Sequence, residues 1–333
     1  MPAGPGARVP VSDGAPLIGD QKADFTAIYN QPDPRAYFRT LKGLEYQVPQ
    51  QALPVVEAVL AASARSGRPR TVLDVCCSYG INAALLRCQV DLDEISARCT
   101  DPALAAPAPG DLIKADAAFY ADRLRRPDLT VFGLDVSTPA IEYAVRSGLL
   151  AQGWAENLET ADPSPALAAG VRDVGVIIST GGVGYVRHRT FDRLLQVVRD
   201  PHDLWMVIFV LRVFAYEEIA ATFARYGLVT EQVPGRTFRQ RRFADRAEYE
   251  AANHDVVLRG LDPTGKEAAG WYHADCFLTR PAAAAAQTPL AELLAGVAPE
   301  SGPGTSPIRA GSPWSGAARR VADDLGDPAG TEA

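Results

Sequence analysis

Between residues 71 and 279 the chain repeats one pattern: a short run of apolar residues, then a stretch with helical punctuation. The runs are residues 71–75 (TVLDV), 131–135 (VFGLD), 173–180 (DVGVIIST) and 204–213 (LWMVIFVLRV). They are apolar throughout rather than alternating with polar residues. Such strands are covered on both faces, and with helices between them the arrangement that covers them is a doubly wound parallel sheet of the α/β class. Ligands of these sheets sit at the carboxyl ends of the strands, where the strand order reverses. The residues just after each strand are therefore the functional candidates.

The punctuation fills in the rest. Residues 54–66 read as a helix opened by Pro54 and closed by Gly67. A helix after the second run has Thr138 as N-cap, Pro139 at its first position and Gly148 near its end. Further helices are expected over 190–199 and 216–226, and further strands over 228–233 and 271–279. Residues 88–127 read as an insertion with one helix. Residues 1–20, rich in Pro and Gly, read as a flexible arm, 21–70 as a helical N-terminal segment and 71–280 as the main domain. The Ala-, Pro- and Gly-rich stretch 281–333 buries too little apolar area to offset chain entropy and reads as disordered, with room for a short helix at 289–297.

Of 333 residues, 47% are hydrophobic and 22% charged, with a formal net charge of −7. A polyanion is bound mainly through Lys and Arg, so this balance speaks against nucleic acid as principal ligand. The exception is the basic run 236–242 (RTFRQRR), which reads as a solvated strand or hairpin. No stretch approaches the roughly 20 apolar residues of a membrane span. The N-terminus lacks the apolar core of a signal sequence, and five cysteines show neither CxxC nor zinc-like spacing. A cytoplasmic chain with reduced thiols, without metal or membrane attachment, is expected.

At the first strand end, Asp74 is followed by VCCSYG. Glycines normally let such a turn approach a ligand; here Cys76 and Ser78 take two of those places and only Gly80 remains. Adjacent cysteines would close a strained disulfide ring, so Cys76 and Cys77 read as small residues of a turn and its adjoining core. At the second strand end, Asp135 can accept both hydroxyls of a ribose, or can serve as a helix cap. Glu156 and Asn157, in GWAENLE, can bind an adenine edge or form a solvated loop. The run at 173–180 leads into STGGVGYV, with Ser179 and Thr180 hydroxyls beside glycines that admit close backbone approach.

Together these stretches resemble the class I S-adenosylmethionine (SAM)-dependent methyltransferases. VLDVCCSYG resembles their first motif, VFGLDVSTPAIEYAVRSGLL their second and DVGVIISTGGVGYV their fourth-strand motif. The resemblance spans residues 71–279. It implies a Rossmann-like seven-stranded sheet with the last strand antiparallel, an N-terminal lid and SAM as cofactor. Carried over by position, it implies cofactor contacts from Asp74, Cys76, Ser78, Tyr79 and Gly80. It implies others from Asp135, Val136, Ser137, Glu156, Asn157, Ser179, Thr180 and Gly181. Cys76 and Ser78 stand where the family has glycines.

Methyl transfer requires mainly positioning, and a base only where the acceptor loses a proton. Tyr185 and His188 are the candidate catalytic groups, with His273 a third. Each has a plainer reading, as packing, as an exposed helix start and as an outward strand residue. Tyr29, Tyr37, Phe38 and Tyr46 can line an acceptor pocket or pack on the sheet edge, and Arg239 is a candidate acceptor contact. A small-molecule acceptor is the expectation. The alternatives are a catalytically silent SAM- or partner-binding domain, and an RNA or protein methyltransferase that uses the basic run.

Overall fold

The computed structural model describes residues 26–67 and 70–297. Helices α1 (Thr26–Tyr29), α2 (Arg35–Gly43) and α3 (Val48–Arg65) precede strand β1 (Thr71–Val75). Helices α4 (Ile81–Arg87), α5 (Leu92–Thr100) and α6 (Pro109–Ala121) lead to β2 (Thr130–Asp135). Then follow α7 (Thr138–Arg146), β3 (Gln152–Ala155), α8 (Pro165–Gly170), β4 (Val176–Thr180), α9 (His188–Val197) and β5 (Trp205–Leu211). The chain continues through α10 (Glu217–Ala224), β6 (Leu228–Gln232), β7 (Phe238–Arg242), α11 (Arg246–Leu258), β8 (Trp271–Pro281), α12 (Ala282–Gln287) and α13 (Leu290–Leu293).

The strand order is β3-β2-β1-β4-β5-β8-β6, with β7 paired to β8 off this path. Strands β1 to β5 pair in parallel and β8 runs against both β5 and β6. This is the seven-stranded Rossmann-like path with an antiparallel strand placed last in sequence, plus one short strand. Successive residues of the buried strands serve opposite layers, as period-2 geometry demands. Val72, Val176 and Val207 join the core that holds α3, α4 and α7; Leu73, Ile177 and Met206 join the core that holds α9 and α10. The order reverses between β1 and β4, so a crevice opens at their carboxyl ends.

β7 decides the shape of the far end of this edge. β5 pairs with residues 274–279 of β8 and β6 with residues 277–281. The first residues of β8 therefore project past the end of β5, and β7 pairs there, from Phe238↔Ala274 to Arg242↔Trp271. The other side of β7 meets the link between α2 and α3: Gln47 N–H donates to Gln240 O at 2.8 Å and Arg242 N–H to Leu44 O at 2.7 Å. The N-terminal segment is thereby tied to the sheet.

Several expectations change. Helix α3 begins at Val48, not at Pro54, with Pro49 in its first turn. Pro54 lies inside the helix on its exposed face, where water can take the carbonyl left without a helical partner, while Val55, Val56 and Val59 are buried. The N-cap of α7 is Ser137, whose Oγ accepts from Ala140 N–H; Thr138 is already helical. The insertion holds two α-helices, and α5 packs on α2. Phe238–Arg242 of the basic run form a strand, and its arginines have partners rather than a freely solvated face. Arg241 is buried and pairs with buried Glu248 at 2.8 Å. Arg242 pairs with Glu45, and Arg239 and Arg236 lie over the rings of Trp271 and Phe238. His273 is buried rather than outward, its Nδ1 2.8 Å from Thr237 Oγ1, and burial lowers it to about 3. The stretch expected to be disordered begins with α12; α13 falls within 289–297, the stretch with room for a short helix, and its Leu290 and Leu293 join the core beside α3. The expected arm at 1–20 and the tail from residue 298 lie outside the described residues. No helix among them is long and apolar enough to cross a membrane, and no group of three His, Cys, Asp or Glu could hold a metal ion.

Candidate functional site

The carboxyl edge of the sheet holds a cavity of about 200 Å³. Of the cofactor candidates, Cys76, Ser78, Asp135, Val136, Ser137, Glu156, Asn157, Thr180 and Gly181 line it. Tyr29, Tyr37 and Tyr185 line it too. Asp74, Tyr79, Gly80, Ser179, His188 and Arg239 do not.

The turn after β1 is built without glycine at two demanding positions: Cys76 (φ 61°) and Ser78 (φ 49°) hold left-handed backbone. That conformation costs an L-residue about 1–2 kcal/mol, so packing must enforce it. Glycines on neighbouring strands and loops make the room. A Cβ on Gly182 would lie 2.8 Å from Cys76 Sγ, and one on Gly133, in β2, 2.6 Å from Cys77 Sγ. Both cysteines line the cavity, and Cys77 also fills the core. Both are free thiols, and burial pushes Cys77 well up.

The turn presents one amide to Asp135, and the loop after β2 presents another. Ser78 N–H donates to one carboxylate oxygen at 2.8 Å and Ser137 N–H to the other at 3.0 Å. Burial raises this carboxyl and the backbone hydrogen bonds oppose the rise. Each oxygen keeps a lone pair for a hydroxyl donor. Beside it Val136 is 67% exposed, an apolar surface at the rim. Glu156 is held by the amide and hydroxyl of Ser164 at 2.9 and 2.6 Å, and Asn157 Oδ1 accepts from Glu159 N–H.

The residues off the cavity have other work. Asp74 is buried beneath the turn, bonded by Asn82 Nδ2 at 3.1 Å to both oxygens, and burial lifts it to about 8. Tyr79 turns away from the cavity: its Oη lies 2.9 Å from the carbonyls of Ile28 and Gln31. Ser137 Oγ donates to Tyr29 O at 2.6 Å. These contacts fasten the N-terminal segment over the site. Gly80 caps α4 with φ 79°. Ser179 is buried in β4. His188 Nδ1 lies 3.1 Å from the Glu218 carboxylate.

Sequence reasoning missed Asn82, Gly182, Thr190 and Gln240 among the lining residues. Gln240 had a signal: alternation in FRQRR puts it on the same face as buried Phe238. Tyr29, Tyr37 and Tyr46 form an edge-to-face cluster, with ring centroids 5.3 Å apart for Tyr29–Tyr37 and 6.0 Å for Tyr37–Tyr46. Burial pushes all three hydroxyls up, Tyr46 to about 12, so they stay protonated at neutral pH.

No protein-family model and no curated protein sequence matches the chain. Among solved structures it is similar to a TehB-like SAM-dependent methyltransferase from Corynebacterium glutamicum, at 16% identity and TM-score 0.33, covering 66% of this chain and 85% of that one. It is also similar to magnesium protoporphyrin IX methyltransferase from Synechocystis with bound SAM, at 12% identity and TM-score 0.32, covering 79% and 86%. A SAM-dependent methyltransferase from Aquifex aeolicus is similar at 12% identity and TM-score 0.34, covering 78% and 100%.

Proposed function

We propose that the chain is a SAM-dependent methyltransferase of class I acting on a small-molecule acceptor. The observation that carries this reading is Asp135. It stands at the end of the strand next to β1, with both oxygens oriented by backbone amides and a free lone pair on each for a ribose hydroxyl. The residues around it fit the rest of the cofactor: exposed Val136 for the adenine face, and Asn82 and Thr180 for the polar methionine end.

When bound, the cofactor supplies an electrophilic methyl: the acceptor's lone pair forms the new bond while the carbon–sulfur pair stays on sulfur. The chain's part is positioning. The turn at Cys76 and Ser78 supports the cofactor, Gly181 and Gly182 admit the acceptor, and the N-terminal segment shields both from water. Of the two candidate catalytic groups, Tyr185 lines the cavity and His188 does not. Within the basic run Arg241 is held in a buried ion pair and Arg242 is paired with Glu45, which disfavours the RNA alternative. Binding without transfer is the second reading, favoured by the two strained non-glycine residues in the cofactor turn.

The test is calorimetric titration of SAM and S-adenosylhomocysteine (SAH) into wild type and Asp135→Ala. Micromolar binding, weakened by a hundredfold or so in the variant as two charge-assisted hydrogen bonds are lost, is expected. Failure of a folded wild type to bind either ligand would end the proposal.

A further inference from the structure

The cavity has two chemically different ends. Along the sheet edge its lining runs from Glu156 after β3, through Asp135 and Cys76, to Thr180 and Gly181 after β4, and then to Gln240 on β7. The cofactor reading uses the first end. Gln240 stands beyond it, so close that a Cβ on Gly181 would lie 2.7 Å from its Nε2. Gln240 is 6% exposed and its Oε1 has no hydrogen-bond partner. A buried polar atom left in this state costs about 1–3 kcal/mol. In a cavity wall, a ligand is the group that can repay it.

The surroundings restrict that ligand. Tyr46 stands at this end, next to Gln47, whose amide bonds Gln240 O, and the ring cluster runs from it through Tyr37 to Tyr29, whose carbonyl is held by Ser137. The charged groups lining the cavity among the described residues are two carboxylates, Asp135 and Glu156, both at the other end. Arg241 adjoins Gln240 in sequence, but its guanidinium is held in the bidentate pair with Glu248. Among the described residues the chain gives an anionic acceptor no lining cation, so with SAH, which lacks the sulfonium charge of SAM, an anion meets only carboxylates.

We infer that the acceptor is an uncharged, planar aromatic molecule bearing a hydroxyl or N–H, its ring held among the tyrosines and its polar group at the Gln240 carboxamide. The inference rests on the methyltransferase reading for the fate of that polar group. Gln240 is a specificity residue: its amide oxygen takes a donor that a carboxylate lacks, and its other end can donate to the acceptor's oxygen or nitrogen.

Three probes of one shape test it: 2-naphthol, 2-methoxynaphthalene, which lacks the donor, and 2-naphthoate, which is an anion. Each is titrated into the SAH-saturated full chain, as wild type and as Gln240→Leu. Wild type should bind 2-naphthol at least about tenfold more tightly than 2-naphthoate. Gln240→Leu should weaken 2-naphthol by about threefold to tenfold, the worth of one neutral hydrogen bond, and leave 2-methoxynaphthalene and SAH within twofold. Equal binding of naphthoate, equal losses for all probes, or no probe binding with SAH affinity intact would each overturn the inference. Gln240→Met, close in length and unbranched, repeats the test if the leucine variant does not fold. Failure of SAH to bind wild type would count against the methyltransferase reading alone. The same titrations without SAH would then read the naphthol–naphthoate difference.

Discussion

The two ends of the cavity are built in different ways. The end proposed for the cofactor comes from short local segments: each strand end delivers its own loop, and the Asp135 carboxylate is oriented by one amide from the neighbouring loop and one from its own. The end proposed for the acceptor is assembled from residues about 200 positions apart, where β7 lies between β8 and the α2–α3 link. The first depends on backbone conformation, the second on a few long-range ties. Substitutions should therefore separate them.

The largest expected effect is at Arg241. Its pair with Glu248 is buried on both sides and joins β7 to α11. Arg241→Met leaves an unpaired buried carboxylate and should cost about 3–5 kcal/mol, read by chemical denaturation. Arg241→Met/Glu248→Leu should recover most of that loss. Equal losses in the single and double variants would break the claim that this tie holds the acceptor end.

The next test concerns the cofactor end and pH. Asp74 has an ordinary value of 3.8 and is lifted to about 8 by burial, so folding favours its protonated form. The stability it contributes is full below about pH 4 and is lost as pH rises towards 8. Asp74→Asn should therefore gain stability relative to wild type between pH 5 and 8, and parallel pH profiles would contradict this.

The smallest effect is expected at Cys76→Gly. Relief of left-handed strain, about 1–2 kcal/mol, offsets the extra chain entropy of glycine, about 0.5–1 kcal/mol. Stability should move by less than about 1 kcal/mol and SAH binding should persist. Loss of SAH binding from a folded variant would show that the thiol itself is needed.

The same contrast explains what was legible in the sequence. Unbroken apolar runs identified β1, β2, β4 and β5, and the ends of the first three led to Cys76, Asp135 and Thr180 at the cavity. Local punctuation failed where tertiary packing overrode it: Pro54 sits inside α3 because the flanking valines are buried. A run of arginines resembles a solvated surface until Glu248, Glu45 and Trp271 are known to meet it. Tyr79 was placed in the right loop, but its side chain serves the N-terminal segment, a contact spanning about 50 residues that no local pattern encodes. Gln240 reaches the cavity because β8 projects beyond β5, a matter of register rather than composition.

The most direct measurement is calorimetric titration of SAH into Asp135→Ala and Gln240→Leu side by side with wild type. The account predicts that wild type binds, Asp135→Ala loses most of its affinity and Gln240→Leu keeps it within twofold. Equal losses in the two folded variants, or none in Asp135→Ala, would contradict it.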